Sequence, residues 1–291
     1  MPSRDPHRGG TTRRLWRSKL ALGAALVLLV IFTAAIGANF IAPYDPADGN
    51  IGDRLLPASW PGGEGAGRLL GTDQVGRDVL SRLIHGARVS LLVGLASTGV
   101  SLVVGTALGL MSGFWSGPID RILSRLTDIQ LALPFIALAV TVISVTGPGL
   151  ANVILVLAAT GWVLYTRVVR EEVLRARERG YVEAARALGG PDVHIMVRHI
   201  LPNVVAPVIV ISSFAIAQMI ITEASLSFLG LGIRPPTPTW GGMLSDARNY
   251  MQVAWWLPTF PGLALLVTLL GINVVGDWLR DTLDPTLRGV D

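Results

Sequence analysis

The sequence predicts an all-α integral membrane protein with six transmembrane helices. Of its 291 residues, 51% are hydrophobic and 15% are charged, and the mean hydropathy of +0.55 lies above that of ordinary soluble domains. The intervals that lack Asp, Glu, Lys and Arg are residues 20–44, 89–119, 129–166, 199–222 and 249–276. Apolar segments of this length are typical of helices that cross a bilayer, where every backbone polar group must be satisfied within its own segment.

The third interval is long enough for two helices. Gly147, Pro148 and Gly149 interrupt it with a strong turn signal. Its halves, residues 129–146 and 150–166, are close to the lower length limit of about 17 residues for a spanning helix. The six predicted helices cover about residues 20–42, 89–113, 129–146, 150–169, 203–222 and 258–278.

Basic residues set the predicted orientation. The tail formed by residues 1–19 is rich in Arg, which favours a cytoplasmic N-terminus. Six spans then place the loops at 114–128 and 170–202 and the tail at 280–291 inside, and the loop at 43–88 outside. The first apolar run exceeds the roughly 7–15 residues of a signal-peptide core, so we interpret it as an uncleaved anchor. The net charge of +4 fits this orientation, and we expect no nucleic-acid partner.

The outer loop at 43–88 contains a predicted amphipathic helix at residues 73–88. Val75, Val79, Leu83 and Ala87 recur every four residues, while the polar residues Arg77, Ser81, Arg82, His85 and Arg88 point elsewhere. Thr72 or Asp73 is the predicted cap of its first turn. The helix either holds the loop against the bilayer or takes part in substrate passage, and the sequence leaves both open.

A polar helix-turn-helix lies between the fourth and fifth predicted spans. Tyr181, Ala184, Ala185 and Leu188 share one face of a helix, and Glu183 lies on the opposite face. Gly189 suits a left-handed residue that ends a helix, and Pro191 suits the first turn of the next one. A segment that buries so little by itself is predicted to contact another protein; the alternative is a solvated loop with a charged helix.

This segment resembles the cytoplasmic EAA loop of permease subunits in ABC importers, whose fold is the type I importer permease fold. The family's Glu-Ala-Ala, Gly and Leu-Pro residues match with their spacing intact, while the family's Ile position holds His199, with Ile200 beside it. The resemblance implies that the loop couples the permease to an ATPase. The residues it implies for coupling are Glu183, Ala184, Ala185, Gly189, Gly190, Pro191, Leu201 and Pro202.

Three further blocks, at residues 70–91, 223–246 and 273–285, are similar to the C-type permease subunits of oligopeptide and dipeptide importers in the bacterial plasma (inner) membrane. The resemblance implies four kinds of partner: a homologous second permease subunit, two ATP-binding subunits or domains that hold ATP and magnesium, an extracytoplasmic substrate-binding protein, and membrane lipid. Nickel, glutathione or another small solute is the alternative cargo. An ATP-independent carrier or channel is a further alternative.

Several activities are excluded by what the sequence lacks. It has no cysteine, and its one lysine, Lys19, follows Ser18 and cannot form a nucleotide-binding P-loop. His194 and His199 are five residues apart, a spacing that separates them on an α-helix, so we expect neither a metal site nor an enzyme. Ion-coupled carriers usually need charges inside their spans. Here Glu223 is predicted at a span end, and Gln218 is the main candidate for a buried polar residue.

Two patterns predict packing. Gly105, Gly109 and Gly113 recur every four residues in the second span, which favours close helix approach, either within this subunit or against a second permease. The aromatic residues near the last span are predicted to form a belt at the membrane interface; they are Trp240, Tyr250, Trp255, Trp256 and Phe260.

Overall fold

The computed structural model describes residues 8–58 and 67–283. Its helices are α1 (Arg8–Ile36), α2 (Ala38–Ile41), α3 (Val79–Phe114), α4 (Pro118–Ala132), α5 (Phe135–Thr146), α6 (Leu150–Ala176), α7 (Gly180–Ala187), α8 (Asp192–Ile195), α9 (Leu201–Phe228), α10 (Trp240–Ala247) and α11 (Trp256–Leu283). Among the described residues, the only β-type pairings are isolated bridges in the outer loop. The all-α prediction is confirmed.

Five helical segments within the described residues are long and apolar enough to cross a membrane, or six if the bent pair α4 and α5 is one span. This pair differs from the single helix predicted at 129–146. Its two helices meet at an angle of 89°. Pro134 lacks a backbone N–H and disfavours the helical conformation at the preceding residue, and Leu133 is accordingly extended, with ψ 125°.

The amphipathic helix predicted at 73–88 does not exist as a separate element. Residues 71–78 form a loop, and α3 begins at Val79 and runs without a break through the predicted second span. The cap is Asp78, whose carboxylate accepts the backbone N–H of Ser81 at 2.7 Å, and not Thr72 or Asp73. Both of those side chains are instead used to fold the loop, since Thr72 accepts the N–H of Leu56 at 2.8 Å and Asp73 that of Val75 at 2.9 Å.

The fourth, fifth and sixth spans extend beyond their predicted ends, whereas the first, predicted at 20–42, is interrupted at Gly37 between α1 and α2. Helix α6 continues to Ala176, and α11 covers residues on both sides of 258–278. The predicted span at 203–222 is the middle of a continuous helical segment, Asp192–Phe228, formed by α8, a π turn and α9. Charge-free intervals underestimate these helices because their ends carry charged residues into the interface and solvent.

The glycines of α3 pack against another helix of this subunit, which was the first of the two alternatives that their spacing left open. A Cβ on Gly105 would lie 2.4 Å from the carbonyl oxygen of Trp162, and one on Gly109 would lie 2.7 Å from the Cβ of Val169. At Gly113 the corresponding distance to the Cβ of Val173 is 2.6 Å. These three residues therefore let α3 and α6 lie backbone to backbone.

We expect Gly109→Leu to destabilise the protein, by about 1–3 kcal/mol or more, because the added side chain has to displace the backbone of α6. Gly99→Leu is the matched control on the same helix, since a Cβ there meets nothing within 4 Å. Thermal unfolding of both variants in detergent measures the difference. Equal unfolding temperatures for the two variants would contradict the packing described above.

Two of the five residues predicted for the aromatic belt lie in the core instead. Trp240 and Trp256 are buried, at 1% and 5% exposure, and their indole N–H groups donate to the carbonyl oxygens of Leu83 and Thr72. Trp255 remains 59% exposed. Burial with a satisfied N–H is a packing role, so the two buried tryptophans belong to the core under the outer loop.

Candidate functional site

The inner face of α7 packs against the bundle. Val182 is fully buried, in a cluster that includes Val173 of α6, Ile195 of α8 and Ile200 of the π turn. Ala185 packs against the same cluster. The predicted stripe of Tyr181, Ala184, Ala185 and Leu188 is therefore divided, because Ala185 turns inward with Val182 while the other residues stay outside.

The outer face of α7 is largely uncovered by the rest of the described chain. Leu188 is 88% exposed and Tyr181 is 39% exposed, and Glu183 and Ala184 are exposed beside them. Together these four residues form one exposed patch on α7, which we call the α7 surface (residues 181, 183, 184 and 188).

The turn after α7 has the geometry predicted for it. Gly189 has φ +77°, and its N–H donates to the carbonyl oxygen of Arg186 at 3.0 Å. Gly190 donates to the carbonyl oxygen of Ala185 at 3.1 Å, and a Cβ on Gly190 would lie 3.0 Å from that same oxygen. Pro191 precedes the first residue of α8 instead of lying within its first turn. Gly189 is needed for its conformation, and Gly190 for close approach.

A π turn at Met196–Ile200 joins α8 to α9. Because this turn adds a residue, it brings the rings of His194 and His199 to a centroid distance of 5.8 Å, which corrects the expectation that they lie on different faces. The same turn explains the departure from the family pattern. Ile200 is fully buried, whereas His199 is partly exposed, so the neighbouring isoleucine fills the apolar position.

Polar contacts tie this region to the spanning helices. The indole N–H of Trp115, at the end of α3, donates to the Asp192 carboxylate at 3.0 Å. The Arg177 guanidinium donates to the carbonyl oxygen of Gly113 at 3.2 Å, and the Asn203 amide donates to the Tyr181 hydroxyl at 3.2 Å. These contacts connect α7 to α9, α8 to the end of α3, and the end of α6 to α3.

Leu201 and Pro202 serve a different purpose from the residues of the α7 surface. They open α9 within the continuous helical segment Asp192–Phe228, and Pro202, which lacks a backbone N–H, lies two residues after the π turn. Leu201 is partly buried and Pro202 is exposed. These two residues therefore shape the start of α9 and lie outside the α7 surface.

At the opposite end of the bundle, four charged residues form a network that sequence spacing did not reveal. The Asp73 carboxylate accepts from Arg82 and, at 2.7 Å, from the Arg77 Nε–H. Asp246 of α10 lies 3.1 Å from Arg82 and 3.6 Å from Arg77. Burial alone would raise the pKa of Asp73, but the charges of Arg82 and Arg77 and two backbone N–H groups hold it below its ordinary value of 3.8.

Glu223 forms a second buried polar cluster at the same end of the bundle as the Asp73 network. It is fully buried in α9 and accepts hydrogen bonds from Ser227 at 2.6 Å and Ser90 at 3.3 Å. Ser90 in turn accepts the backbone N–H of Trp240 at 3.2 Å, which links α3, α9 and α10. Gln218, predicted as the main buried polar residue, is exposed. Within the described residues, no group of three or more His, Cys, Asp or Glu residues is arranged to hold a metal ion.

The bundle of long apolar helices, with the α7 surface at one end and the polar network at the other, is that of a multi-pass membrane protein. Residues 105–289 match the model of the binding-protein-dependent transport system inner membrane component family, and residues 10–58 match the N-terminal transmembrane domain of oligopeptide transport permease C. The chain belongs to the family of binding-protein-dependent transport system inner membrane components. Subunits of this family are permeases and are not themselves catalytic.

Curated relatives extend over nearly the whole chain. The di/tripeptide transport system permease protein DppC of Pseudomonas aeruginosa is 45% identical over 280 residues, covering 95% of this chain and 92% of its own. The glutathione transport system permease protein GsiD of Pectobacterium atrosepticum is 41% identical over 276 residues, covering 95% and 90%. Among solved structures, an inward-facing MetNI methionine ABC transporter chain aligns with a TM-score of 0.60 at 19% identity, covering 70% of this chain and 97% of its own. This likeness shows the type I importer permease fold.

Proposed function

We propose that the chain is the permease subunit of a peptide-importing ABC transporter and forms the translocation path together with a homologous second subunit. The observation that carries the proposal is the α7 surface, which is largely uncovered within the described chain, while the Asn203–Tyr181 hydrogen bond and the buried Val182 connect α7 to α9 and α6. The relative from P. aeruginosa is named for di- and tripeptides, which supports short peptides as the cargo. Glutathione, itself a modified tripeptide, is the second candidate, because a relative at 41% identity is named for it.

The proposed coupling residues are those on or beside the α7 surface and those that open α9. They are Glu183, Ala184, Ala185, Gly189, Gly190, Pro191, Leu201 and Pro202. Glu183 and Ala184 contact the ATPase directly, while the two glycines and Pro191 fix the angle between α7 and α8. Two ATPase subunits or domains hold ATP and magnesium, and an extracytoplasmic binding protein delivers the cargo. Alternation between inward-open and outward-open states follows when the ATPases move the α7 surfaces of the two permeases.

The cargo is tested with the assembled importer in vesicles, the candidate binding protein being loaded with labelled dialanine or labelled glutathione. We expect ATP-dependent uptake of the dipeptide and, at equal concentration, much less of glutathione. Preferential uptake of glutathione would transfer the proposal to the second candidate. Uptake of either solute without ATP or without the binding protein would exclude an ABC importer.

Both termini and the α7 surface are proposed to be cytoplasmic. The chain has no native cysteine, so single replacements report sidedness without background. We expect Leu188→Cys, at a position 88% exposed, to react with a membrane-impermeant maleimide only after the membrane is opened. Val253→Cys, at a position 68% exposed near the start of α11, is the opposite control and reacts in intact cells. Labelling of Leu188→Cys in intact cells would refute the orientation.

A further inference from the structure

A groove of about 670 Å³ lies between α1 and α11, away from the α7 surface and the outer polar network. Its walls are one face of each helix: Lys19, Leu20, Gly23, Ala24 and Val27 of α1, and Val267, Leu270, Gly271 and Val274 of α11. Apart from Lys19, the lining is entirely apolar. Only 11% of the apolar window of α1 is buried, so this helix is largely uncovered by the rest of the described chain.

The two glycines of the groove differ in what they permit. A Cβ on Gly271 would lie 3.0 Å from the Leu28 side chain, so Gly271 is the point at which the helices touch. A Cβ on Gly23 would meet nothing within 4 Å. No neighbour within the described chain therefore requires a small residue at position 23. The missing side chain of Gly23 leaves the groove open.

Lys19 supplies charge at one end of this apolar groove. It is the one lysine of the chain, it is exposed, and it forms no hydrogen bond or ion pair with the residues that the structure describes. Arg13, Arg14 and Arg17 precede it in the sequence. A basic side chain at the end of a spanning helix extends toward the lipid headgroups, where anionic lipids attract such clusters.

We infer that the groove is a binding site for an anionic phospholipid, with one acyl chain between α1 and α11 and the headgroup phosphate at Lys19. The apolar walls fit an acyl chain, and the positive charge fits a phosphate with its own net negative charge. A zwitterionic lipid fits the walls equally well but gains less from Lys19, so the site selects by headgroup. A transmembrane helix of another subunit would fill the same walls without regard to Lys19.

The test uses the purified full chain in mild detergent with added phosphatidylglycerol or phosphatidylcholine, and native mass spectrometry counts the retained lipids. We expect wild type to prefer phosphatidylglycerol. Lys19→Gln should reduce this preference about fivefold, the effect of one basic residue near anionic lipid, and Lys19→Arg should keep it. Gly23→Leu fills the groove and should lower retention of both lipids.

Gly262→Leu is the control for Gly23→Leu, because it also lies on a wall helix, α11, but outside the groove, and a Cβ there meets nothing within 4 Å. It should leave both lipids bound as in wild type. An unchanged headgroup preference in Lys19→Gln overturns the proposed phosphate site. Equal retention by Gly23→Leu and Gly262→Leu overturns the proposed acyl site, and both results are interpreted only for variants that elute as a single folded species.

Discussion

Replacing Gly189 with valine is expected to lower peptide uptake about tenfold while the subunit still folds and inserts. Gly189 has φ +77°, a conformation that costs a residue with a side chain about 1–2 kcal/mol and a β-branched one more. No atom lies within 4 Å of a Cβ at this position, so the effect is conformational and not steric. The turn opens, α7 changes its angle to α8, and the α7 surface no longer fits its ATPase.

The experiment measures ATP hydrolysis and peptide uptake of the assembled importer in the same vesicles. Uptake per ATP should fall in Gly189→Val, and Gly189→Asn should restore much of it because asparagine tolerates a positive φ. Gly180→Val is the matched control, since Gly180 begins the same helix without a positive φ and also has open space around its Cβ. If Gly189→Val and Gly180→Val transport equally well, the turn has no part in coupling.

The second large effect is expected at the outer network. Asp73→Asn leaves Arg77 and Arg82, which are 8% and 4% exposed, with the Asp246 carboxylate as their remaining acidic partner in the network. Removing one partner from a buried ion pair typically costs about 3–5 kcal/mol, because a desolvated charge remains. We expect the loop at 67–78 to detach from α10 and the unfolding temperature to fall.

The effect of Asp73→Asn should also depend on pH. Because the pKa of Asp73 in the folded protein lies below 3.8, its carboxylate stabilises the fold at pH values above about 4, and this contribution is lost as the pH falls through the lowered pKa. The stability difference between wild type and variant should therefore be full near neutral pH and shrink in acid. Asp48→Asn, an exposed carboxylate of the same outer segment, is the control. A pH-independent difference would contradict the ionised network.

The sequence predicted the fold class and the conformation of individual residues better than the ends of helices. Gly189 was recognisable because few residues adopt a positive φ, and the spans because charges avoid lipid. Pro134 was a signal for the break between α4 and α5 that the charge-free interval concealed. Likewise Asp78, three residues before Ser81, marked the true start of α3.

Other features of the structure could not be predicted from the spacing of residues in the sequence. The outer network needs Asp246, which is 164 residues from its partner Arg82, so no local pattern could reveal it. The π turn at Met196–Ile200 depends on hydrogen-bond register, which residue spacing does not encode. Glu223 directly follows the predicted span at 203–222, whereas α9 continues past it to Phe228. Its burial follows from the packing of Ser90 and Trp240 against it.

The unbroken length of α6 has a mechanical consequence. Its 27 residues extend about 40 Å, and among the described residues it is followed directly by the short connection to α7. If this helix tilts as a rigid rod by about 5°, its far end is displaced by roughly 3.5 Å. Helix α9, by contrast, contains Pro207 in its first third, where the missing backbone N–H makes bending easier. We therefore expect a displacement of the α7 surface to tilt α6 as a rigid rod and to bend α9 at Pro207.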